Sequence, residues 1–337
     1  MFLSRPVRRG LIPLHTVSGA PFLSESPPLS DVERLAALVS SVEGVFLGKT
    51  EVVRHLVTAV IAGGHVLLED VPGVGKTTVA QAMAQALGCD FGRVQFTADL
   101  LPSDLLGVNI FDEGRGMFTF HPGPLFHQVV LADEINRTPP RTQSALLEAM
   151  NDGQVTVEGE IHPLPAPFFV VATQNPLEHH GTFPLPESQV DRFMMCLAVG
   201  YPDLGEEREL LRRTAGQETA LEPVLDPECV LRLRAKAREV RVHEDIEDYI
   251  LGLVRRSREE VDVLVGASPR AGQALVRAAR ARAMVLGRDF VVPDDVQAVA
   301  EPVLAHRVLL STEASGEASS SGARLVRRLL GAVPAPR

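Results

Sequence analysis

Between residues 30 and 201, short blocks of continuous apolar residues alternate with segments of helix-spaced apolar residues. The blocks Val129–Ala132 and Pro167–Thr173 have the length and the β-branched content of buried strands. The segments between the blocks, such as residues 79–87, predict helices. Apolar strands separated by helices predict an α/β fold, an αβα sandwich with a parallel sheet covered on both faces.

Two segments of this region have a different pattern, in which a polar turn separates two short strands. Val108–Phe111 and Met117–Phe120 flank the first turn, and Val155–Val157 and Glu160–His162 flank the second. This pattern predicts two β-hairpins.

The pattern changes after residue 201. Residues 203–310 show helical spacing throughout, which predicts a second, all-helical domain over residues 202–332, followed by a tail at 333–337. A serine-rich loop at 311–322 and a short basic helix at 323–330 close this domain. The apolar segments within residues 1–29 are too broken for a secretory signal, so we interpret that region as a disordered arm.

Composition narrows the class of protein. The 337 residues, of which 45% are hydrophobic and 23% charged, suit two soluble domains. The longest apolar runs have the length of strands, so no membrane span is expected. The net charge of −10 argues against a nucleic-acid partner. Three cysteines without C-x-x-C spacing are typical of reduced thiols, and we expect a cytoplasmic protein.

The most informative motif is the stretch 67–78, an apolar strand, a glycine-rich turn and the start of a helix. This order predicts a phosphate-binding loop, in which Lys76 contacts the β- and γ-phosphates and the Thr77 hydroxyl ligates Mg²⁺. Asp70 occupies the position where the usual motif has its first glycine, and we expect it to be a tolerated variation in a left-handed turn. The nucleotide-binding candidates are Gly48, Pro72, Gly73, Val74, Gly75, Lys76, Thr77 and Thr78.

Polar residues follow two further apolar strands. Asp133 and Glu134 end one strand, where Asp133 would hold Mg²⁺ and Glu134 would deprotonate the attacking water. Asn175 follows another strand and would orient that water, although an Asn-Pro turn is an equally simple interpretation.

Two arginines complete the candidate catalytic set. Arg192 would reach the nucleotide site of a neighbouring subunit, unless it only pairs with Asp191 on the surface. Arg270 lies in the first turn of a helix capped by Ser268 and would contact the γ-phosphate from the helical domain.

The order of these motifs resembles the MoxR group of AAA+ ATPases over about residues 30–332. The resemblance is carried by the motifs at 67–77, 133–150, 172–176, 191–193 and 266–270. It implies that Lys76 and Thr77 form Walker A, Asp133 and Glu134 Walker B, and Asn175 sensor 1. It implies that Arg270 is the sensor 2 arginine. Arg192 is similar to an arginine finger, and Arg137 and Arg141 are alternatives for that role.

The resemblance implies that the first hairpin lies in a helix-2 insert over about residues 104–121. It implies that the second is a pre-sensor-1 hairpin over about residues 153–165. Phe111, Phe118 and Phe120 would then face a channel or a partner, or simply form the core of the hairpin. The resemblance implies an ATPase that uses ATP and Mg²⁺ in a ring, most plausibly a homo-hexamer. It also implies chaperone-like remodelling of an unknown protein client with a von Willebrand factor A domain partner.

Three other functions remain open from the sequence. A magnesium-chelatase-like motor subunit shares the insertions and the type of partner. A nucleic-acid translocase shares the nucleotide site, but Arg115 is the only basic residue of the first hairpin, beside Asp112 and Glu113. A nucleotide-binding scaffold without activity would not need both Asp133 and Glu134.

Overall fold

The computed structural model describes residues 29–71, 73–175, 181–212, 221–311 and 318–336. The predicted disordered arm therefore lies outside the described residues, apart from Leu29.

The first domain is built on a five-stranded sheet, and its helices and strands agree with the predicted α/β class. Their bounds in chain order are α1 (Asp31–Val45), α2 (Thr50–Ile61), β1 (Val66–Glu69), α3 (Lys76–Ala86), β2 (Phe91–Gln95), α4 (Pro102–Leu106), β3 (Gly107–Asp112), β4 (Met117–Pro122), β5 (Val129–Asp133), α5 (Pro140–Asp152), β6 (Gln154–Val157), β7 (Glu160–Pro163), β8 (Phe169–Gln174), α6 (Glu187–Val190) and β9 (Met195–Leu197).

The sheet has the strand order β2-β5-β8-β1-β9, and every pair in it is parallel. Side chains from one face of the sheet pack with α1, α2 and α3, and those from the other face pack with α4 and α5. Because both faces are covered, β1, β5 and β8 are apolar along nearly their whole length. The carboxyl ends of β1, β5 and β8 lie side by side at one edge, where open α/β sheets bind their ligands.

Both predicted hairpins are present, as the antiparallel pairs β3–β4 and β6–β7. The Asn109 amide donates a hydrogen bond to the Glu158 carboxylate at 2.9 Å and joins the two hairpins. Phe111 and Phe118 lie opposite each other, 51% and 65% exposed, with ring centroids 5.3 Å apart. Phe120 differs from them, because it is half-buried and stacks on a histidine of the second hairpin.

The second domain is mostly helical. Its elements are α7 (Leu204–Arg212), α8 (Pro227–Glu239), α9 (Glu244–Ser257), β10 (Val263–Val265), α10 (Pro269–Val285), α11 (Pro293–Leu304), β11 (Leu309–Leu310) and α12 (Ala318–Ala332). We refer to this domain as the lid.

The prediction of a purely helical lid was wrong in one respect, because β10 and β11 form a short antiparallel ladder. Strands of three and two residues are too short to show a period of two in the sequence. The predicted serine-rich loop at 311–322 was also too long, since α12 begins at Ala318.

The two domains share a hydrophobic core. Buried side chains of α1, α2 and α3 form a single cluster with those of α8, α9, α10 and α11. The backbone N–H groups of Val224 and Leu225 both donate to the carbonyl of Ala86 at the end of α3, at 2.9 and 3.1 Å. The lid is therefore attached to the helix that follows the phosphate-binding motif. Among the described residues, no helix is long and apolar enough to cross a membrane.

Candidate active site

The glycine-rich segment at residues 70–77, called the phosphate loop below, leaves the carboxyl end of β1 and leads into α3. Gly73 and Gly75 have φ angles of 86° and 89°, a left-handed backbone that glycine adopts without strain. Because α3 begins at Lys76, its first N–H groups and the positive end of its dipole are directed at the loop. The remaining candidates of this loop are Pro72, which lies outside the described residues, the half-buried Val74 and Thr77, and the exposed Thr78.

Lys76 lies within electrostatic reach of the acidic pair, Asp133 and Glu134. Its ammonium group donates to the carbonyl oxygen of Asp70 at 2.8 Å. Burial lowers the pKa of Lys76, and the carboxylates of Asp70, Asp133 and Glu134 act in the opposite direction. The fold therefore brings the two motifs together as the sequence predicts.

Asp133 is held by two side chains that the sequence analysis did not single out. The Thr173 hydroxyl, on the neighbouring strand β8, donates to Asp133 Oδ1 at 2.7 Å. The Arg93 guanidinium, on β2 at the other side, donates to Asp133 Oδ2 at 2.7 Å. The orientation of the predicted Mg²⁺ ligand is thus determined by both neighbouring strands.

Glu134 has a backbone conformation that is unusual for its residue type. Its φ of 59° and ψ of 50° place a non-glycine residue in the left-handed region, which is typical of positions where a site stores strain. The Glu134 N–H donates to the Thr173 hydroxyl oxygen at 2.8 Å. Its carboxylate accepts a hydrogen bond from the Gln95 amide at 2.8 Å and pairs with Arg137 Nε at 3.1 Å.

Asn175 follows β8, the strand between the acidic pair and the phosphate loop. Its carbonyl accepts a hydrogen bond from the Asn136 amide at 3.4 Å. The preceding Gln174 donates to the Glu69 carboxylate, at the end of β1. Asn175 therefore emerges at the edge of the sheet where the sensor residue is expected.

Gly48 lies on the side of the phosphate loop that faces the lid. It has a φ of 70°, and the carboxylate of Glu206, on α7, fills the space that a side chain on Gly48 would need. The nearby Phe46 ring lies 3.0 Å from the position that a Cβ on Gly75 would take. The segment around residues 46–48 thus forms a wall between the loop and the lid.

Arg192 and Arg270 do not approach the phosphate loop of their own chain. Arg192 Nη1 donates to the carbonyl of Leu147, within α5, at 2.8 Å. Arg270 Nη2 donates to Oδ1 of Asn151, at the end of α5, at 3.2 Å. The carbonyl of Met150, the residue before Asn151, accepts a hydrogen bond from the ring of His65, which directly precedes β1.

Arg270 therefore lies at the amino edge of the sheet, whereas the phosphate loop lies at the carboxyl edge. This location differs from the expectation that Arg270 closes the nucleotide site of its own chain. The physical reason is the direction of α5, which begins after the acidic pair and runs back to the amino edge.

The alternative arginines differ in their surroundings. Arg137 pairs with Glu134 of its own site, whereas Arg141, in the first turn of α5, is exposed. The sequence analysis also missed Arg93, Gln95 and Thr173. A sequence signal exists only for Thr173, a polar residue that interrupts an apolar strand just before the predicted sensor.

A nucleoside triphosphate with Mg²⁺ is a ligand that these residues fit. A Cβ added at Gly73 would meet no atom within 4 Å, so the loop backbone is open on that side. Lys76 and the first N–H groups of α3 are donors suited to phosphate oxygens. Thr77 and Asp133 offer oxygen ligands, and Mg²⁺ commonly takes one or two protein oxygens in addition to phosphate and water.

The parallel sheet, the phosphate loop, the acidic pair and the helical lid define the class of protein as a P-loop nucleoside triphosphatase of the AAA+ type. Comparison with known sequences agrees with this class. The family described as "ATPase family associated with various cellular activities (AAA)" matches residues 65–195, and the family described as "AAA lid domain" matches residues 255–328.

Individual relatives narrow the family. The chain is 46% identical to the uncharacterized protein YeaC of Bacillus subtilis, over 90% of this chain and 95% of the relative. It is 39% identical to Chaperone MoxR1 of Mycobacterium tuberculosis, over 93% of this chain and 87% of the relative. A crystal structure of a Cytophaga hutchinsonii protein described as a "putative ATPase" superposes with a TM-score of 0.83 at 38% identity, covering 91% of this chain and 96% of the other. The chain belongs to the MoxR-type AAA+ ATPases.

Proposed function

We propose that this protein is a Mg²⁺-dependent ATPase that works as a homo-hexameric ring and remodels a protein client. The observation that carries the proposal is the convergence of Lys76, Asp133 and Glu134 at the carboxyl edge of the sheet. These are a cation that binds phosphate oxygens, a metal ligand and a base, the three kinds of group that phosphoryl transfer to water requires.

Each residue has a distinct role in the proposed reaction. Lys76 and the N–H groups of the loop would hold the β- and γ-phosphates. Thr77 and Asp133 would hold Mg²⁺, which would supply positive charge to neutralise the phosphates. Glu134 accepts a proton from the attacking water, which Asn175 orients. Thr173 keeps Asp133 and Glu134 in place, because it bonds to both.

Three arginines are proposed to act on a neighbouring subunit. In a ring, Arg192, Arg270 or the exposed Arg141 of one subunit would reach the nucleotide site of the next and stabilise the transition-state charge there. Support for this arrangement comes from the separation of Arg270 from its own phosphate loop.

The proposed client or partner surface is the hairpin β3–β4. The neighbouring Ile110, Phe111 and Phe118 are all about half exposed or more, which is typical of surfaces that contact another protein. By analogy with the family, we propose a von Willebrand factor A domain protein as the partner. The relative named Chaperone MoxR1 supports a chaperone-like role.

A nucleic-acid translocase receives less support than a protein-remodelling ATPase. Arg115 of the first hairpin pairs with Asp112 at 3.5 Å, so its charge is partly neutralised. A magnesium-chelatase-like motor subunit remains the second candidate, because it would share the hairpins and the nucleotide site. The isolated thiols of the chain are consistent with the proposed cytoplasmic location.

The proposal is tested by Glu134→Gln, assayed for phosphate release and for nucleotide binding. We expect binding to persist and hydrolysis to be abolished, because the amide cannot accept the proton of the water. Glu158→Gln is the matched control, since Glu158 is the other described glutamate with positive φ but lies in the turn of the second hairpin. Undiminished turnover in Glu134→Gln would contradict the assigned base.

A second experiment addresses the assembly and the client. The Glu134→Gln variant with ATP is analysed by light scattering after size exclusion, and then used to capture bound proteins. We expect a ring-sized species that retains a client and a von Willebrand factor A domain protein. A monomer at every nucleotide concentration would contradict the ring.

A further inference from the structure

Asp70 accepts hydrogen bonds from its own phosphate loop and from a segment that is distant in the chain. Its Oδ1 accepts a hydrogen bond from the Val71 N–H at 2.8 Å, and its carbonyl accepts from Lys76 at 2.8 Å. Its Oδ2 accepts from the N–H of Gly200 at 2.5 Å, across 130 positions of sequence. Asp70 is not among the described non-glycine residues with positive φ, which are Glu134 and Glu158. The expectation that Asp70 occupies a left-handed turn was therefore wrong.

Gly200 lies in the linker at residues 198–203, which joins β9 to the first lid helix α7. Its φ of 69° requires a left-handed backbone, and the N–H of this turn is directed at the Asp70 carboxylate. The next residue of the linker, Tyr201, accepts a hydrogen bond from Lys49 at 2.8 Å through its carbonyl. Two side chains of the sheet domain thus hold the linker, and only Asp70 belongs to the phosphate loop.

A purely local role would account for only one of the two carboxylate contacts. The bond from Val71 to Oδ1 is the short-range turn that aspartate commonly forms with the next residues of the chain. The bond from Gly200 to Oδ2 contributes nothing to that turn and restrains a segment that leads into another domain.

We propose that Asp70 is a positioning residue that couples the phosphate loop to the lid of the same chain through Gly200. A phosphate bound in the loop competes with the Asp70 carbonyl for the Lys76 ammonium, and it competes with the Asp70 carboxylate for the Val71 N–H. Both changes reorient the Asp70 carboxylate. The Gly200 N–H is bonded to this carboxylate, so the linker moves with it. The inference rests on the proposed ATPase function.

The position of Arg270 gives a structural reason for this coupling. Arg270, the lid residue expected to sense the γ-phosphate, lies at the amino edge of the sheet in its own chain. A direct contact between a nucleotide and the lid of the same subunit through Arg270 is therefore not available in this arrangement. Asp70 provides a contact at the carboxyl edge, beside the phosphates.

The test compares Asp70→Gly with Asp70→Asn. Asp70→Gly restores the usual first glycine of the motif and removes both carboxylate bonds. Asp70→Asn keeps one acceptor oxygen, which can serve the local turn, but its amide group cannot accept from Gly200 at the same time. Lys49→Ala is the matched control, because it removes the other restraint on the linker without touching the loop.

Two quantities are measured for each variant: ATP turnover, and hydrogen–deuterium exchange of residues 198–206 with and without a non-hydrolysable ATP analogue. In the natural protein the analogue is expected to change exchange in this segment. Both Asp70 variants should bind the analogue within a few-fold of the natural affinity yet lose that change, with kcat reduced about tenfold or more and KM nearly unchanged. Lys49→Ala should exchange faster in both conditions while keeping the response to the analogue.

An unaltered response to the analogue in both Asp70 variants would overturn the inference while leaving the ATPase intact. An affinity loss that accounts for the whole effect in both variants would also overturn it, because Asp70 would then only shape the loop. Failure of the natural protein to bind or hydrolyse ATP would instead refute the proposed function, and the inference with it.

Discussion

Arg307 of the lid and Asp191 of the sheet domain form an ion pair in which the arginine side chain is 4% exposed. The distance from Arg307 Nε to Asp191 Oδ1 is 2.7 Å. The same guanidinium also donates to the carbonyls of Asp191, Phe193 and Met194, at 3.1, 2.7 and 3.1 Å. Arg192 lies inside the segment 191–194 to which Arg307 bonds, so the lid determines the backbone position of a candidate catalytic arginine.

The first prediction concerns the stability that these contacts of Arg307 provide. We expect Arg307→Ala to lower the free energy of unfolding by about 3–5 kcal/mol, because it removes the closest partner of the partly buried Asp191 carboxylate and the donor to several carbonyls. Urea titration at neutral pH measures the change. The control is Arg241→Ala, which removes a pair with Asp289 whose side chains are 74% and 78% exposed, and should cost at most about 1 kcal/mol. Equal losses in the two variants would contradict a role for the buried pair.

The second prediction concerns Thr173, which bonds to both members of the acidic pair. Thr173→Val keeps the shape of the side chain and removes the hydroxyl, so we expect phosphate release to slow by about 10- to 100-fold. Thr173→Ser keeps the hydroxyl and should retain most of the activity. A valine variant as active as the serine variant would show that the two bonds at 2.7 and 2.8 Å do not support catalysis.

The third prediction concerns the arginine that acts between subunits. If Arg192 is the finger, Arg192→Ala should lose about 10³-fold or more in turnover. Mixing it with Lys76→Ala should restore activity, because the second subunit cannot bind phosphate but still supplies Arg192. Arg141→Ala is treated in the same way, since Arg141 is exposed near the acidic pair. If mixing with Lys76→Ala restores the activity of Arg141→Ala but not that of Arg192→Ala, the finger is Arg141 and not Arg192.

The fourth prediction concerns pH and the buried His65, whose ring bonds to the carbonyl of Met150 and to the N–H of Val170, both at 3.0 Å. Burial lowers the pKa of His65 from 6.5 to about 4. Above pH 6.5 the ring is neutral in both the folded and the unfolded chain. Between pH 6.5 and about 4 only the unfolded chain takes up the proton, so stability falls as the pH falls, by about 3 kcal/mol for this group.

His65→Gln removes this titration, and the stability difference between the natural protein and the variant should shrink as the pH falls from 6.5 to 4. Urea titrations at several pH values measure that difference. Burial also lowers the pKa of His55 to about 4, so His55→Gln should show a similar trend. A difference for His65→Gln that is constant with pH would mean that the folded and unfolded chains take up the proton equally, so that burial does not lower the pKa of His65.

The sequence by itself determined the sheet, the hairpins and the centre of the candidate site. Lys76, Asp133 and Asn175 were predicted because each lies at the carboxyl end of a strand or in the segment after it, and parallel strands bring their carboxyl ends to one edge. Local order along the chain is sufficient for such residues. Local order also predicted the helices of the lid, because their apolar spacing extends over several turns. It did not predict β10 and β11, because these strands are too short to show a pattern.

Only the tertiary structure decided the relationships between distant segments. The direction of α5 places Arg270 at the amino edge of the sheet, and packing of the lid brings Arg307 onto Asp191. The bond from Gly200 to Asp70 likewise depends on how the linker turns after β9. None of these contacts has a period or a spacing in the sequence, because each is the outcome of packing between elements that are far apart in the chain.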